Sequence, residues 1–363
     1  MLIKGDISLP KDRGGVLLIQ LGDIGDVVLT MPTIKALRQN FPENELVVSV
    51  REAARELLED CPWPDRVISV NKGKRGITEE IIYQKNFINA LRKTRFHLAV
   101  DLRTGTRGAV IALLSGAHYR IGRFADDGRL LRNRAFTHLV RPVYEESQYS
   151  TEHNLNIISP FGLGVDSILP TLSVSQLMKR KAQAILKEAG VPLDGEIMAI
   201  HPFSLWKYKE WNPKGFVSLI DHIETNHGLS VVITGSPEER GRVREMIKGR
   251  KERVFNLAGK TSIGELPALL QRCSLFIGVD TAALHIAAAV DVPTVGIFGP
   301  SSSVNWAPKG DQHLVVKKNM PCVPCREKGC KGSGTSRCLN ELEAEEVARA
   351  VDEQLLKRKD RLN

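Results

Sequence analysis

No apolar run in this 363-residue chain approaches the ~20 residues that a membrane-spanning helix needs. The longest, over 16–21 and 109–114, are the size of a strand or a short helix. The opening Met-Leu-Ile-Lys-Gly-Asp lacks an apolar signal core, so a cytoplasmic protein is expected. Aromatic residues make up only 6% of the chain. They are sparse among the basic residues crowded between Arg92 and Arg141, where Phe96, Tyr119 and Phe124 are candidates for stacking. Single-stranded nucleic acid is held by rings as well as charge, so no nucleic-acid partner is expected. Cysteine is scarce outside one loop, and a reducing compartment disfavours stable disulfides.

What remains is an ordinary globular composition, 42% hydrophobic with mixed charge. The length exceeds what one core usually serves, so two domains are expected. Strand and helix patterns alternate throughout. Buried strands are expected over 16–21, 46–50, 67–70 and 97–102, with helices between them. The helix over 79–94 carries Ile81, Ile82, Phe87, Ile88 and Leu91 as its apolar stripe. Glycines and prolines over 160–170 mark a linker. The alternation restarts with strands over 197–200, 229–234, 254–257 and 274–279, and a last helix over 343–356. Such a pattern implies parallel sheets covered on both faces. The expected fold is α/β, with two Rossmann-like domains, 1–165 and 166–363, facing a central cleft. The last helix is expected to pack back on the first domain.

The formal net charge is +9. Against the basic run of the first half stand only Asp101, Asp126 and Asp127. A cationic face suits a phosphorylated ligand or an anionic lipid surface, while many of its arginines would simply be solvated. Four of six cysteines, Cys322, Cys325, Cys330 and Cys338, share one stretch. The C-x2-C start is compatible with structural zinc, but the second half is no zinc knuckle, so free thiols in a surface loop are the expectation. Zinc and disulfides stay open as alternatives.

Three loops fall at the carboxyl ends of expected strands. Gly22-Asp-Ile-Gly-Asp26 makes a tight turn with two acids, and lacks the G-x-G-x-x-G spacing of a dinucleotide site. The stretch from His201 to Trp211 offers a hydroxyl, two lysines and two tryptophans. The third loop, Gly278-Val-Asp-Thr-Ala-Ala-Leu-His285, opens a helix made mostly of alanine. Asp280 sits at the expected N-cap and would organise the turn. Free N–H groups at Thr281, Ala282 and Ala283, with the helix dipole, suit a diphosphate.

In this order and spacing the motifs resemble glycosyltransferase family 9, the bacterial heptosyltransferases of the lipopolysaccharide inner core. The resemblance runs from Gly15 to the final helix. It rests on Gly25-Asp-Val-Val-Leu-Thr-Met-Pro32, on Ser204 with Lys209-Glu-Trp211, and on Asp280-Thr-Ala-Ala-Leu-His285 with Phe298-Gly-Pro300. The stretch from Asp101 and the run to Gly122 look most like the heptosyltransferase III branch. The cysteine loop is similar to some heptosyltransferase II sequences.

The resemblance implies a GT-B fold, an ADP-heptose donor, and inversion at the sugar carbon without metal or cofactor. The chain has no D-x-D triplet, which fits a metal-free site. It also implies a phosphorylated core acceptor on a lipid anchor, with the protein on the inner face of the inner membrane. The family's general base falls on Asp26, with Asp23 as its rival. Donor binding falls on Ser204, Lys209, Asp280, Thr281, Ala282 and His285, and on Glu238 near the ribose. Acceptor binding falls on Arg120, Arg123, Arg132 and Arg134 of the first half. Two other readings stay open: a GT-B enzyme using another nucleotide sugar, and a sugar- or partner-binding relative without chemistry.

Overall fold

The computed structural model describes residues 1–9, 14–71, 73–127, 129–142, 146–250 and 253–362. They fall into two compact units, one from Met1 to Pro170 and one from Thr171 onward. Among the described residues no helix is long and apolar enough to cross a membrane.

The first unit holds β1 (Leu2–Lys4), β2 (Gly15–Gln20), β3 (Leu46–Arg51), β4 (Arg66–Val70), β5 (Phe96–Asp101), β6 (Tyr119–Arg123) and β7 (His138–Val140). Their order in the sheet is β1-β7-β6-β5-β2-β3-β4. Every neighbouring pair is parallel except β1 with β7. All six residues of β2 are buried, because helices cover both faces of a parallel sheet and leave no polar side to alternate with. Leu17 and Ile19 of this strand share a core with Val47, Ala99, Ala112 and Phe136.

The second unit holds β8 (Ile197–His201), β9 (Ser230–Ile233), β10 (Val254–Asn256), β11 (Leu275–Val279), β12 (Thr294–Phe298) and β13 (His313–Lys317). The order is β10-β9-β8-β11-β12-β13, parallel throughout. With β1 set aside, both sheets follow the doubly wound order 3-2-1-4-5-6. Two Rossmann-like units in one chain make the GT-B class. In such sheets the strand order reverses at one point, and ligands bind outside the carboxyl ends there. The reversal lies between β2 and β5 in the first unit, and between β8 and β11 in the second.

Three elements depart from the sequence expectations. The helix Ile77–Leu91 does not bury its stripe: Ile81 and Ile82 are 63% and 54% exposed, and of the stripe only Leu91 is fully buried. Residues 52–58 form a tighter 3-10 helix. The last helix, Ala344–Leu362, runs past its expected end at 356. Its apolar positions Val347, Val351 and Leu355, spaced four apart, belong to the second unit's core with Phe216, Leu219 and Ile223. That face is already occupied within its own unit.

Trp211 anchors this packing. It is buried against Phe216, ring centroids 4.8 Å apart, and its Nε1–H donates to the Leu342 carbonyl at 2.9 Å. A Cβ at Gly215 would come within 2.3 Å of the indole, so glycine is required beneath it. Trp211→Ala should cost about 3–5 kcal/mol through the cavity it leaves. Trp211→Phe should cost about 1–3 kcal/mol by stranding the Leu342 carbonyl. Urea unfolding midpoints of the two variants check this ranking.

Candidate active site

In the second unit the switch point is spanned by an ion pair. Lys209 lies in a 3-10 turn, Lys207–Lys209, of the loop after β8, and Asp280 directly follows β11. Lys209 Nζ donates to Asp280 Oδ2 at 2.6 Å, with the carboxylate side chain 5% exposed and the lysine 21%. β8 and β11 are hydrogen-bonded neighbours, so their carboxyl-end loops are held side by side.

The helix that follows is Ala282–Ala289, and its N-cap is Thr281, one residue later than expected. Asp280 therefore does not cap the helix, because its carboxylate is committed to Lys209. No side chain caps this helix, and Ala282 and Ala283 present their N–H groups in its first turn. Alanine at both positions keeps the approach open. His285 lies one turn in and is buried.

Ser204 is half-buried. Its N–H donates to Glu210 Oε1 at 3.3 Å, and its Oγ accepts from the Trp206 N–H at 3.3 Å. Glu210 is clamped by Arg242, whose guanidinium also lies 4.1 Å from the Phe203 ring centre. Glu238 and Glu239 separate cleanly. Glu239 accepts from the Ser236 N–H at 2.7 Å and so serves the turn. Glu238 is exposed; hydrogen bonds from its own backbone N–H and from Ser236 hold its carboxyl below the usual range. His201 ends β8 beneath these loops. Burial pushes its imidazole down to about 4, so it is neutral, and its Nδ1 meets Thr234 Oγ1 at 2.9 Å.

The first unit repeats the device with the signs exchanged. Asp26 lies in the short helix Ile24–Val28 after β2 and accepts from the Asp23 N–H at 2.9 Å. A Cβ at Gly22 would come within 2.4 Å of its Oδ2, so only glycine leaves room for the carboxylate. Across the switch point, in the loop after β5, Arg103 Nη1 reaches Asp26 Oδ1 at 3.0 Å. Asp23 points elsewhere and pairs with Arg51 at 2.5 Å. Arg103 is itself held from below. Its N–H donates to Asp101 Oδ1 at 3.2 Å, and its carbonyl accepts from Arg132. Arg132 and Asp101 form an ion pair at 3.1 Å, each side chain 1% exposed. Burial pushes the Asp101 carboxyl up to about 7 against the pull of Arg132.

A family model described as glycosyltransferase family 9 (heptosyltransferase) matches residues 85–335. The chain is 30% identical over 290 residues to lipopolysaccharide heptosyltransferase 3 of Escherichia coli, across 78% of this chain and 83% of that one. The solved glycosyl transferase family 9 protein from Veillonella parvula DSM 2008 superposes with a TM-score of 0.82 at 20% identity. That match covers 97% of this chain and 100% of the other. E. coli heptosyltransferase WaaC with ADP superposes at 0.71 and 20% identity, covering 93% and 99%. The chain belongs to glycosyltransferase family 9. It is a glycosyltransferase.

The arginines expected to form one cationic face of this family 9 enzyme do not share one environment. Arg132 is withdrawn from any such surface, because its guanidinium is consumed by Asp101 and two backbone carbonyls. Arg120 is half-buried and donates to the carbonyls of Ala135 and Ala117 at 2.7 and 2.6 Å. Arg123 is half-buried at the carboxyl end of β6, and Arg134 is exposed. The residue that sequence reasoning missed is Arg103. Its signal was available, in the same Asp101-Leu-Arg stretch that carried the family resemblance.

The cysteine loop holds no disulfide, and Cys338 is buried while Cys322 and Cys330 are exposed. The loop adjoins the turn that carries Lys209. Ser336 Oγ donates to the Tyr208 carbonyl at 2.6 Å, and the Arg326 N–H to the Pro300 carbonyl at 2.7 Å.

Arg132→Met should destabilise the first unit by about 3–5 kcal/mol, since it leaves Asp101 buried without its partner. Urea unfolding measures the loss. The double variant Arg132→Met with Asp101→Leu should recover most of it.

Proposed function

We propose that this enzyme moves L-glycero-D-manno-heptose from its ADP-activated form to the phosphorylated inner core of lipopolysaccharide, with inversion and without a metal in the reaction. The observation that carries the reading is the pair of opposite devices at the two switch points. One unit presents an acid held by an arginine, and the other a lysine held by an acid beside an uncapped helix N-terminus. The similarity to an E. coli heptosyltransferase 3 supports the substrate class and a III-type acceptor, and the likeness to WaaC with ADP supports the nucleotide.

Asp26 takes the proton of the acceptor hydroxyl as its oxygen attacks the anomeric carbon opposite the leaving group. The bond from that carbon to the diphosphate breaks, and ADP leaves with the electron pair. The growing charge on the diphosphate is met by Lys209 and by the N–H groups of Ala282 and Ala283. Asp280 positions Lys209, whose remaining ammonium protons are available to the diphosphate. Glu238 is assigned to the ribose, with Ser204 and His285 completing the donor side. On the acceptor side, Arg103 orients Asp26. Arg123 and Arg134 receive the acceptor phosphates. The exposed Ile77, Ile81 and Ile82, on a helix of the same unit, suit a peripheral contact with the inner-membrane surface.

The deciding experiment is a product assay with ADP-heptose against UDP- and GDP-sugars on truncated core acceptors, the product anomer being read by NMR. Transfer from ADP-heptose with inversion is expected and should persist in EDTA. Preferred use of another nucleotide sugar would select the alternative GT-B reading, and absence of any turnover the non-catalytic one. Asp26→Asn should lower kcat about 10²–10⁴-fold with ADP affinity nearly unchanged. Near-normal turnover in Asp26→Asn, with loss in Asp23→Asn, would reverse that assignment. Lys209→Ala should lower kcat and weaken ADP binding together, read by single-substrate kinetics and calorimetry.

A further inference from the structure

We propose that His222, His227 and Asp352 form a binding site for one divalent transition-metal ion of the zinc class, clamping the final helix to the second unit. His222 and His227 lie on the helix Pro213–His227, and Asp352 on Ala344–Leu362. Both imidazole Nε2 atoms converge on the same carboxylate oxygen, Asp352 Oδ1, at 2.8 and 2.7 Å. The donor atoms of all three residues lie within 4.8 Å of one another, and all three residues are half-buried. An ion can therefore enter from solvent, yet the ligands stand on rigid elements.

Chemistry selects the class of ion. Two imidazoles and one carboxylate suit zinc, cobalt or nickel and are poor ligands for magnesium or calcium, which take oxygen. Tetrahedral zinc with bonds of about 2.0–2.2 Å spaces its ligand atoms roughly 3.3 Å apart. The two Nε2–Oδ1 distances need to open by only roughly 0.5 Å to meet that spacing, a side-chain adjustment. The ion replaces the two Nε2 protons, which pass to solvent, and water completes its shell. A metal-bound imidazole uses its other N–H to reach an acceptor. The Asn226 amide stands 3.1 Å from His222 Nδ1, and rotation of that amide brings its oxygen to the proton.

The fold prepares the triangle before any ion arrives. His227 closes its helix just before Gly228, whose left-handed backbone (φ 61°) ends the run. The two helices are locked by the shared core of Phe216, Leu219, Val347 and Val351. The helix Pro213–His227 starts after the loop carrying Lys209 and ends at the head of β9. The triangle thus lies at the amino end of the strands, opposite Lys209 and Asp280. Its ion would hold the last helix down and take no part in transfer.

The test uses the full-length chain stripped of metal. Titration with Co²⁺ should give visible d–d absorption at one equivalent, without the near-ultraviolet band of a cobalt–thiolate bond. Zn²⁺ should displace it and raise the thermal midpoint, and Mg²⁺ should do neither. His222→Gln and Asp352→Asn, checked for folding by circular dichroism, should each weaken Zn²⁺ binding more than roughly 100-fold, beyond the loss of an outer partner. A triple Cys322, Cys325 and Cys330→Ser variant should bind as before. A thiolate band, binding unchanged in His222→Gln, or no Co²⁺ binding to the wild-type chain would overturn the proposal. Each readout is independent of heptose transfer, so its failure is separable from failure of the enzymatic reading.

Discussion

Each sheet of this enzyme has one place where loops from two adjacent parallel strands leave in opposite directions, and in each unit that place is closed by an ion pair. Lys209 and Asp280 close it after β8 and β11, and Arg103 and Asp26 after β2 and β5. The rest of both sites follows from these contacts. A doubly wound sheet provides a crevice at the switch point but no chemistry. The proposed chemistry rests on the charges placed there and on what fixes their side chains. Asp280 turns a flexible lysine into a located ammonium, and the helix after it leaves its first N–H groups uncapped by any side chain.

The first unit shows how far such positioning reaches into the core. Arg103 meets Asp26 because its loop is tied to the buried pair of Asp101 and Arg132. A buried ion pair is a doubtful source of net stability, since desolvation opposes the Coulomb gain. Its value here is geometric. Arg132 donates to the Arg103 and Arg123 carbonyls as well as to Asp101, so one guanidinium sets two loop ends at the carboxyl edge of the sheet. An apolar pair of the same volume would fill the space without directing either carbonyl.

The alternation of strands and helices was legible because buried parallel strands such as Val16–Ile19 and Leu275–Val279 are unbroken apolar runs. Of the strands that escaped notice, β13 still carries the apolar Leu314-Val-Val316, while β1, β6 and β7 lack this signal. β6 reads Tyr-Arg-Ile-Gly-Arg, and β1 and β7 have three residues each. The motif residues Asp26, Lys209 and Asp280 were singled out through the family resemblance, Asp26 with Asp23 as its rival. Their partners were not, because Lys209 and Asp280 are 71 positions apart and only the β8–β11 pairing brings them together. Arg132 misled for the same reason. An arginine in a basic run looks solvated, and nothing local announces that Asp101, 31 positions away, has drawn it into the core. The stripe of Ile81 and Ile82 had helical spacing, but periodicity states which residues share a face and not what covers it.

The two switch-point pairs differ in burial, and the difference suits their assigned roles. Arg103 is 48% exposed and Asp26 18%, against 21% for Lys209 and 5% for Asp280. A pair open to water contributes about 0–1 kcal/mol and exchanges partners at little cost. In the proposed reaction, Asp26 can thus release Arg103 when an acceptor hydroxyl arrives, and a phosphorylated acceptor offers Arg103 a replacement anion. Lys209 and Asp280 sit where solvent screens less, so their attraction persists and the ammonium stays where the proposed reaction places the diphosphate's growing charge. A base that receives a proton needs a partner it can leave. A group that stabilises a leaving diphosphate does better to be immobile beforehand, because reorientation during bond cleavage would add to the barrier.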